Sequence, residues 1–265
     1  MPLATLLLRH SGTLVVLLLL TIWELVSRLH IAPSQFFPPV TTILTALWSL
    51  VISFELVQQY VVTLWHAGAG FLLGTAAAIV MGVLMGYYRN IFNLFEPLIE
   101  ALRPIPTVAL IPVAILLLGI DNTMKVFIVG WACFFPVWVN TVESIRSVDS
   151  ELVDTAKTFK FTDAATISKF LVPCAAPGIF TGMRISVAFA LILSVVSEMV
   201  AGDTGVGHFL IATEGAFQIS QMYAAVFSLA AVGYVLNSMF VAIERRVLRW
   251  HNDSGNNQEL QDIPQ

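Results

Sequence analysis

Residues 149–177 read DSELVDTAKTFKFTDAATISKFLVPCAAP, a polar island between long apolar runs. Asp149 or Ser150 suits the N-cap of a helix, because a short side-chain oxygen can accept from an unpartnered N–H of the first turn. Glu151 and Asp154 follow at the start and Lys157 and Lys160 at the end, the charge order a helix dipole favours. Leu152, Ala156 and Phe159 recur at helical spacing as a short apolar stripe. A second helix can run from Thr162 toward Val172, with Pro173 and Pro177 marking the start of the next apolar run. Two capped helices are more than a connector needs, and an apolar stripe flanked by charges suits a docking surface for a second protein.

The chain around the island is built for lipid. Of its 265 residues, 57% are apolar and 11% charged, and the mean hydropathy is +0.84. A soluble domain carries roughly 25% charged residues. A net charge of −4 gives no basic excess, which argues against nucleic acid as a partner. Two cysteines, Cys133 and Cys174, exclude a disulfide framework and a cysteine-rich metal site. A bilayer core about 30 Å thick needs about 20 mostly apolar residues per helix. Six segments fit: about Leu14–Leu29, Thr63–Tyr88, Ile105–Ile120, Met124–Val142, Gly178–Val200 and Tyr223–Val247. Lipid offers no partner to an unpaired backbone group, so all six are expected to be helices. The first follows Arg9 as a signal peptide would, but no small-x-small cleavage pattern follows it, so it is expected to be a retained helix.

With the N-terminus inside, six spans return the C-terminus inside. Arg9, Arg89, Arg103, Arg146, Lys157, Lys160, Lys169, Arg184, Arg245, Arg246 and Arg249 then fall on the cytoplasmic side, and only Arg28 and Lys125 outside. The island becomes an inner loop, about 143–177. Arg28 can pair with Glu24 one turn earlier. Residues 31–60 begin with Pro33, Pro38 and Pro39 and continue with Ile43, Leu44, Leu47, Trp48, Val51 and Phe54 at helical spacing, an amphipathic helix at the outer interface or against the bundle. The expected domain is residues 1–250, with 251–265 a polar, disordered tail.

Two ladders of small residues stand out. Gly70, Gly74, Ala78, Gly82 and Gly86 lie four apart, as do Gly178, Gly182, Ser186, Ala190 and Ser194, with Glu198 one step further. Such faces let another backbone approach closely, for tight packing or for lining a pathway. Glu198 is read as a helix-end or pathway carboxylate facing the bundle or water. The histidines are scattered without ligand spacing, so no metal site is expected. Asp121, Asn122 and Lys125 read as solvated residues of a short outer turn. No catalytic constellation is found, and the chain lacks the G-x-x-x-x-G-K-[ST] phosphate loop, so it cannot itself run an ATPase cycle.

The island resembles the loop of the membrane subunits of bacterial ABC importers, which carry Glu-Ala-Ala, a Gly, then Leu-Pro. Here the stretch is Asp154-Thr155-Ala156, Lys160 at the Gly position, and Val172-Pro173. Arg103-Pro104-Ile105-Pro106 with Ile111-Pro112 and Gly119 is similar to the nitrate/sulfonate/taurine branch. So are Phe134-Phe135-Pro136, Arg146-Ser147-Val148-Asp149, Ser197-Glu198-Met199 with Gly205-Val206-Gly207, Phe37-Pro38-Pro39-Val40, and Glu244-Arg245-Arg246. If the Gly position needs a left-handed backbone, Lys160 costs roughly 1 kcal/mol or more there.

The resemblance implies an all-α, six-helix bundle of the MetI-like permease type, in the bacterial plasma (inner) membrane with both termini cytoplasmic. It implies a coupling helix contacting a cytoplasmic ABC ATPase through Glu151, Asp154, Thr155, Ala156, Lys157, Thr158, Phe159 and Lys160, with Leu152 turned to the chain's own inner spans. It also implies a second permease copy, identical or not, with the translocation path between the two, and an extracytoplasmic solute-binding protein. ATP and Mg belong to the ATPase, and this chain binds no cofactor. The solute is expected to be a small organic or inorganic anion such as sulfonate, taurine, nitrate or bicarbonate, or a vitamin precursor. Two alternatives are an ATPase-independent secondary carrier, disfavoured because the span centres lack charge, and a non-transporting membrane scaffold.

Overall fold

The computed structural model describes residues 11–249 except Ala32 and Ser34; the expected polar tail 251–265 lies outside the described residues. The described chain is helical, without strands. The helices are α1 (Ser11–Arg28), α2 (Val40–Ile52), α3 (Glu55–Tyr87), α4 (Arg89–Leu102), α5 (Ile111–Leu118), α6 (Asn122–Arg146), α7 (Ser150–Thr158), α8 (Asp163–Thr166), α9 (Val172–Ala201), α10 (Val206–Gly215) and α11 (Ile219–Val247).

The centre is a three-helix seam of α3, α6 and α9, and the glycine ladders explain why these three meet. A Cβ at Gly70, Gly74, Gly82 or Gly86 would run into Val129, Gly130, Thr141 or Ile145 of α6. A Cβ at Gly178 or Gly182 would run into Ser144 or into Pro136 and Asn140 of the same helix. Helix α6 is thus clasped from two sides at near-backbone distance. Ser186 Oγ donates to Cys133 O (2.9 Å) and Cys133 Sγ to Ser186 O (3.4 Å), closing the seam at mid-height. Ala190 packs with Ala132 and Cys133 in one buried cluster.

The periphery is looser. Helix α1 packs on α2 through Trp23, whose indole donates to Pro38 O (3.0 Å) and stacks on Phe37 at 4.4 Å. The expected Glu24–Arg28 pair forms at 2.7 Å, and Glu24 also accepts from the Thr41 N–H and hydroxyl. The amphipathic stretch is α2, which ends where Phe54 turns left-handed (φ 59°) into α3.

Several expectations about the spans change. Four helical stretches among the described residues are long and apolar enough to cross a membrane: Glu55–Tyr87, Asn122–Arg146, Asp163–Ala201 and Ile219–Val247. A fifth arises only if α4 and Thr107–Leu118 count as one span, and these meet at 88°. The expected straight span Ile105–Ile120 is therefore replaced by a broken element. Pro104 and Pro106 remove two N–H donors, and Pro106 itself is extended (φ −61°, ψ 119°), so the helix cannot run through. With α1 at 18 residues, about 27 Å of rise, a count of six is not established by length. The second loop helix is no separate element: α8 continues through a π-turn, Ile167–Leu171, into α9. Pro173 sits in the first turn of α9, where a missing N–H costs little, and the wider turn before it absorbs the change of register.

Candidate functional site

The polar island folds as its capping residues dictate. Asp149 caps α7 by accepting from Glu151 N at 3.0 Å, and Thr162 caps α8 by accepting from Ala165 N at 3.3 Å. Helix α7 ends with Lys160 in the left-handed region at φ 59°. Lys160 N bonds Lys157 O at 2.9 Å and Phe161 N bonds Ala156 O at 3.1 Å. This 5→2 and 6→1 pairing closes a helix C-terminus and usually selects glycine at the left-handed residue. The position that resembles a family glycine is thus the one whose backbone asks for it, and Lys160 bears the strain.

Of the expected contact residues, Glu151, Asp154, Thr155, Lys157, Thr158, Phe159 and Lys160 are exposed and Ala156 is buried. The hydroxyls of Thr155 and Thr158 donate to Glu151 O and Asp154 O (2.7 and 2.9 Å), and Lys157 meets Asp154 at 3.3 Å. Leu152, Thr155, Ala156, Phe159, Phe161 and Phe170 line an apolar groove of about 420 Å³. Phe161 and Phe170 meet edge to face at 5.3 Å, while Phe159 is 74% exposed. Leu152, expected to turn to the chain's own inner spans, belongs instead to this groove. Val153 takes that place, against the cluster of Val83, Ile145 and Leu171, because one helical residue is a rotation of about 100°.

At the opposite end of α6 lies a buried polar cluster, of which sequence reading singled out Glu198, Ser194 and the Gly205–Gly207 turn but not His66 or Thr63. The side chains of Glu198 and His66 are 0% exposed, and His66 Nδ1 lies 2.9 Å from Glu198 Oε1. Glu198 Oε2 accepts from Thr63 Oγ1 (2.8 Å) and Gly207 N (3.1 Å), and Ser194 Oγ approaches Oε1 at 3.4 Å. His66 Nε2 lies 2.9 Å from Asn122 Oδ1. Thr63 Oγ1 also accepts from Val206 N (2.9 Å), and Gln59 Oε1 from Gly205 N (2.7 Å). Gly205 has φ 100°, and a Cβ there would overlap the Glu198 carboxylate; one at Gly207 would overlap Val195 O. The Glu198…Gly205-Val206-Gly207 pattern is thus a single device, in which a carboxylate seats on a turn with no side chains in its way.

This cluster ties α3, α6 and α9 to the start of α10. Its acceptors are filled by protein donors, which suits a clamp more than a solute site. Lys125 differs from its expected solvated role: its side chain is 1% exposed and its ammonium lies 3.8 Å from Asp203 Oδ1. The Asp203 carboxyl is held below the usual range by its own backbone N–H and then by the Lys125 charge. One sequence signal pointed to the cluster. His66 extends the first ladder by one four-residue step, as Glu198 extends the second, so both close-packed faces end in a polar residue.

Residues 70–249 match the family model described as "Binding-protein-dependent transport system inner membrane component". The chain is 30% identical over 242 residues to "Putative aliphatic sulfonates transport permease protein SsuC" of Bacillus subtilis, covering 91% of this chain and 88% of that one. It is 28% identical over 251 residues to "Taurine transport system permease protein TauC" of Escherichia coli, covering 91% and 89%. In fold it is similar to a chain of the inward-facing MetNI methionine ABC transporter, with TM-score 0.65 and 16% identity, covering 74% of this chain and 97% of that one. These likenesses leave the secondary carrier and the scaffold without support, and family membership implies ATPase partners and a separate solute-binding protein. The chain belongs to the binding-protein-dependent transport inner-membrane family, and it is a multi-pass permease subunit of an ABC importer, a transport subunit and not an enzyme.

Proposed function

We propose that α7 is the coupling helix of this permease, and that its groove receives the cytoplasmic ATPase through Phe159 with Leu152, Phe161 and Phe170. The observation that carries this reading is an apolar groove on a strongly charged hairpin, with a large aromatic side chain 74% exposed at its rim. Leaving so much apolar surface in water costs about 25 cal/mol per Å², and a partner would recover it. Glu151, Asp154, Lys157 and Lys160 are the exposed charges of the hairpin and set register more than affinity. Thr155 shapes its wall, its hydroxyl, like that of Thr158, being spent on the backbone, and Ala156 keeps its floor flat. ATP and Mg are held by the partner. Both termini are cytoplasmic, and a second permease copy, identical or not, completes the path. The ladder Gly178, Gly182, Ser186, Ala190 and Ser194, with Glu198 at its end, is a packing seam that keeps α9 and α6 moving as one body.

The solute is a small sulfonate. What supports this is the pair of relatives named for aliphatic sulfonates and taurine, each aligned over about nine-tenths of both chains. The test reconstitutes the chain with its ATPase and binding protein. Phe159→Asp is expected to abolish sulfonate-stimulated ATP hydrolysis and co-purification of the ATPase while the permease still elutes as a folded species, because Phe159 contributes little to the fold. Full stimulation in Phe159→Asp would refute the coupling assignment. Equal stimulation by a methionine-loaded and a sulfonate-loaded binding protein would refute the solute.

A further inference from the structure

Behind α7, on the side away from its groove, lies a second cavity of about 710 Å³. Its walls are the end of α3 and the start of α4 (Tyr87, Tyr88, Arg89), the end of α6 (Arg146), and the inward face of α7 (Ser150, Lys157). Two guanidinium groups share one aromatic ring there: Arg146 Cζ lies 3.5 Å and Arg89 Cζ 5.9 Å from the centroid of Phe92. Two like charges on one ring are a costly arrangement unless something negative lies between them.

The other charges of the cavity are already matched. Asp154 meets Lys157 at 3.3 Å. Asp163 accepts from the hydroxyls of Tyr87 and Tyr88 at 3.0 and 3.2 Å and sits in the first turn of α8, where the helix dipole favours a carboxylate. Arg28 and Arg103 pair with Glu24 and Glu100. Among the described residues Arg89 and Arg146 make no ion pair within 4 Å; the Glu96 carboxylate acts on Arg146 only from farther off. Arg146 spends one N–H on Met85 O, at 3.4 Å. Its face lies on Phe92, so the remaining N–H groups point along the edge of the plane, the direction in which a guanidinium grips an oxyanion with two parallel bonds.

We propose that this cavity is a binding site for a tetrahedral oxyanion, a phosphate or sulfonate group, held by Arg89 and Arg146 in the joint between α7 and the ends of α3 and α6. Phosphate and sulfonate present the same geometry of acceptor oxygens, so the group can arrive on an anionic lipid or as a free ion. Only the placing of the site on the cytoplasmic side rests on the coupling reading. Once occupied, the site would stiffen the link between α7 and the bundle. An anion there is therefore expected to raise sulfonate-stimulated ATP hydrolysis without changing the affinity of the ATPase for the permease.

The experiment uses the assembled transporter in two arms. In detergent without added lipid, sodium phosphate or sodium sulfate is titrated against sodium chloride at equal ionic strength, and the melting midpoint is read. In nanodiscs, phosphatidylcholine alone is compared with phosphatidylcholine plus phosphatidylglycerol. A saturable rise in the first arm, weakened roughly tenfold in Arg89→Gln as loss of a charged hydrogen bond implies, identifies a free oxyanion. A rise confined to the second arm and lost in Arg89→Gln identifies a lipid headgroup. Arg89→Lys should fall between, since it keeps the charge and loses the planar fork. If Arg146→Gln does not assemble, Arg89→Gln decides, because Arg89 is exposed. No rise in either arm, or a rise of the same size in wild type and Arg89→Gln, overturns the proposal. The midpoint reads binding whether or not α7 couples to the ATPase, so failure of that reading would show separately, in the hydrolysis assay.

Discussion

Glu198 shows how one residue sets the terms for its neighbours. Its carboxylate is wholly buried, and it is affordable there only because Thr63, His66 and Gly207 are aimed at it. Breaking a buried charged network by removing one partner costs about 3–5 kcal/mol. Glu198→Ala is therefore expected to lower the melting midpoint sharply and to cut the yield of folded permease. Glu198→Gln, which keeps the shape and one acceptor oxygen, should lose less, and equal melting of the two variants would show that charge and hydrogen bonding at this position do not matter. Lys160 presents the opposite case, a residue the fold tolerates at a cost. Lys160→Gly should raise the midpoint by the equivalent of roughly 1 kcal/mol, since φ near 59° carries no Cβ penalty in glycine. A drop on Lys160→Gly would mean that the lysine side chain earns its place through contacts of its own.

At the scale of elements, helix α6 is held by small residues on both flanks, and this decides how far α3 and α9 can move past it. Gly74 is where an added Cβ would come closest to the backbone of α6, at Gly130. Backbone cannot rotate aside, so Gly74→Ala should destabilise by about 1–3 kcal/mol, read as a lower melting midpoint. Gly68→Ala on the same helix, where nothing lies within 4 Å, is the control and should not lower the midpoint, since alanine loses less backbone entropy than glycine in a helix. The loop hairpin was legible because its signals are local. Asp149 and Thr162 both cap, and the charge order along α7 runs as the dipole asks. The end of the second loop helix was not legible, because Pro173 and Pro177 read as stops and the π-turn that accommodates them has no distinctive composition. The break at Pro104 and Pro106 is marked in the sequence, but apolar residues on both sides disguise it as a continuous span.

For the whole molecule, the distribution of exposed apolar surface separates what faces lipid or a partner from what faces the core. In α11 only 11% of the most apolar window is buried, against 39–44% in the three seam helices. Helix α1 likewise shows Leu14 to Leu19 outward. These two elements carry the most exposed apolar surface of the described helices. The positive-inside count predicts α7 in the cytoplasm and Asp121 outside. In a Cys174→Ser background, Cys133 being buried, a cysteine at Thr158 should react with an impermeant thiol reagent only from the cytoplasmic face, and one at Asp121 only from the outer face. The reverse pattern would invert the topology.

Composition and period alone determined that this chain is a helical membrane protein, that one polar hairpin breaks its apolar course, and that two faces of small residues await a close neighbour. These are properties of short stretches, set by side-chain size, capping and the lack of water in a bilayer. Only the tertiary structure decided that both ladders grip the same helix. Only it brought His66 to Glu198 across 132 residues of chain and set Arg89 and Arg146 over one phenyl ring. Such meetings depend on how helices cross in three dimensions, and no local pattern encodes which two distant residues will share a neighbour.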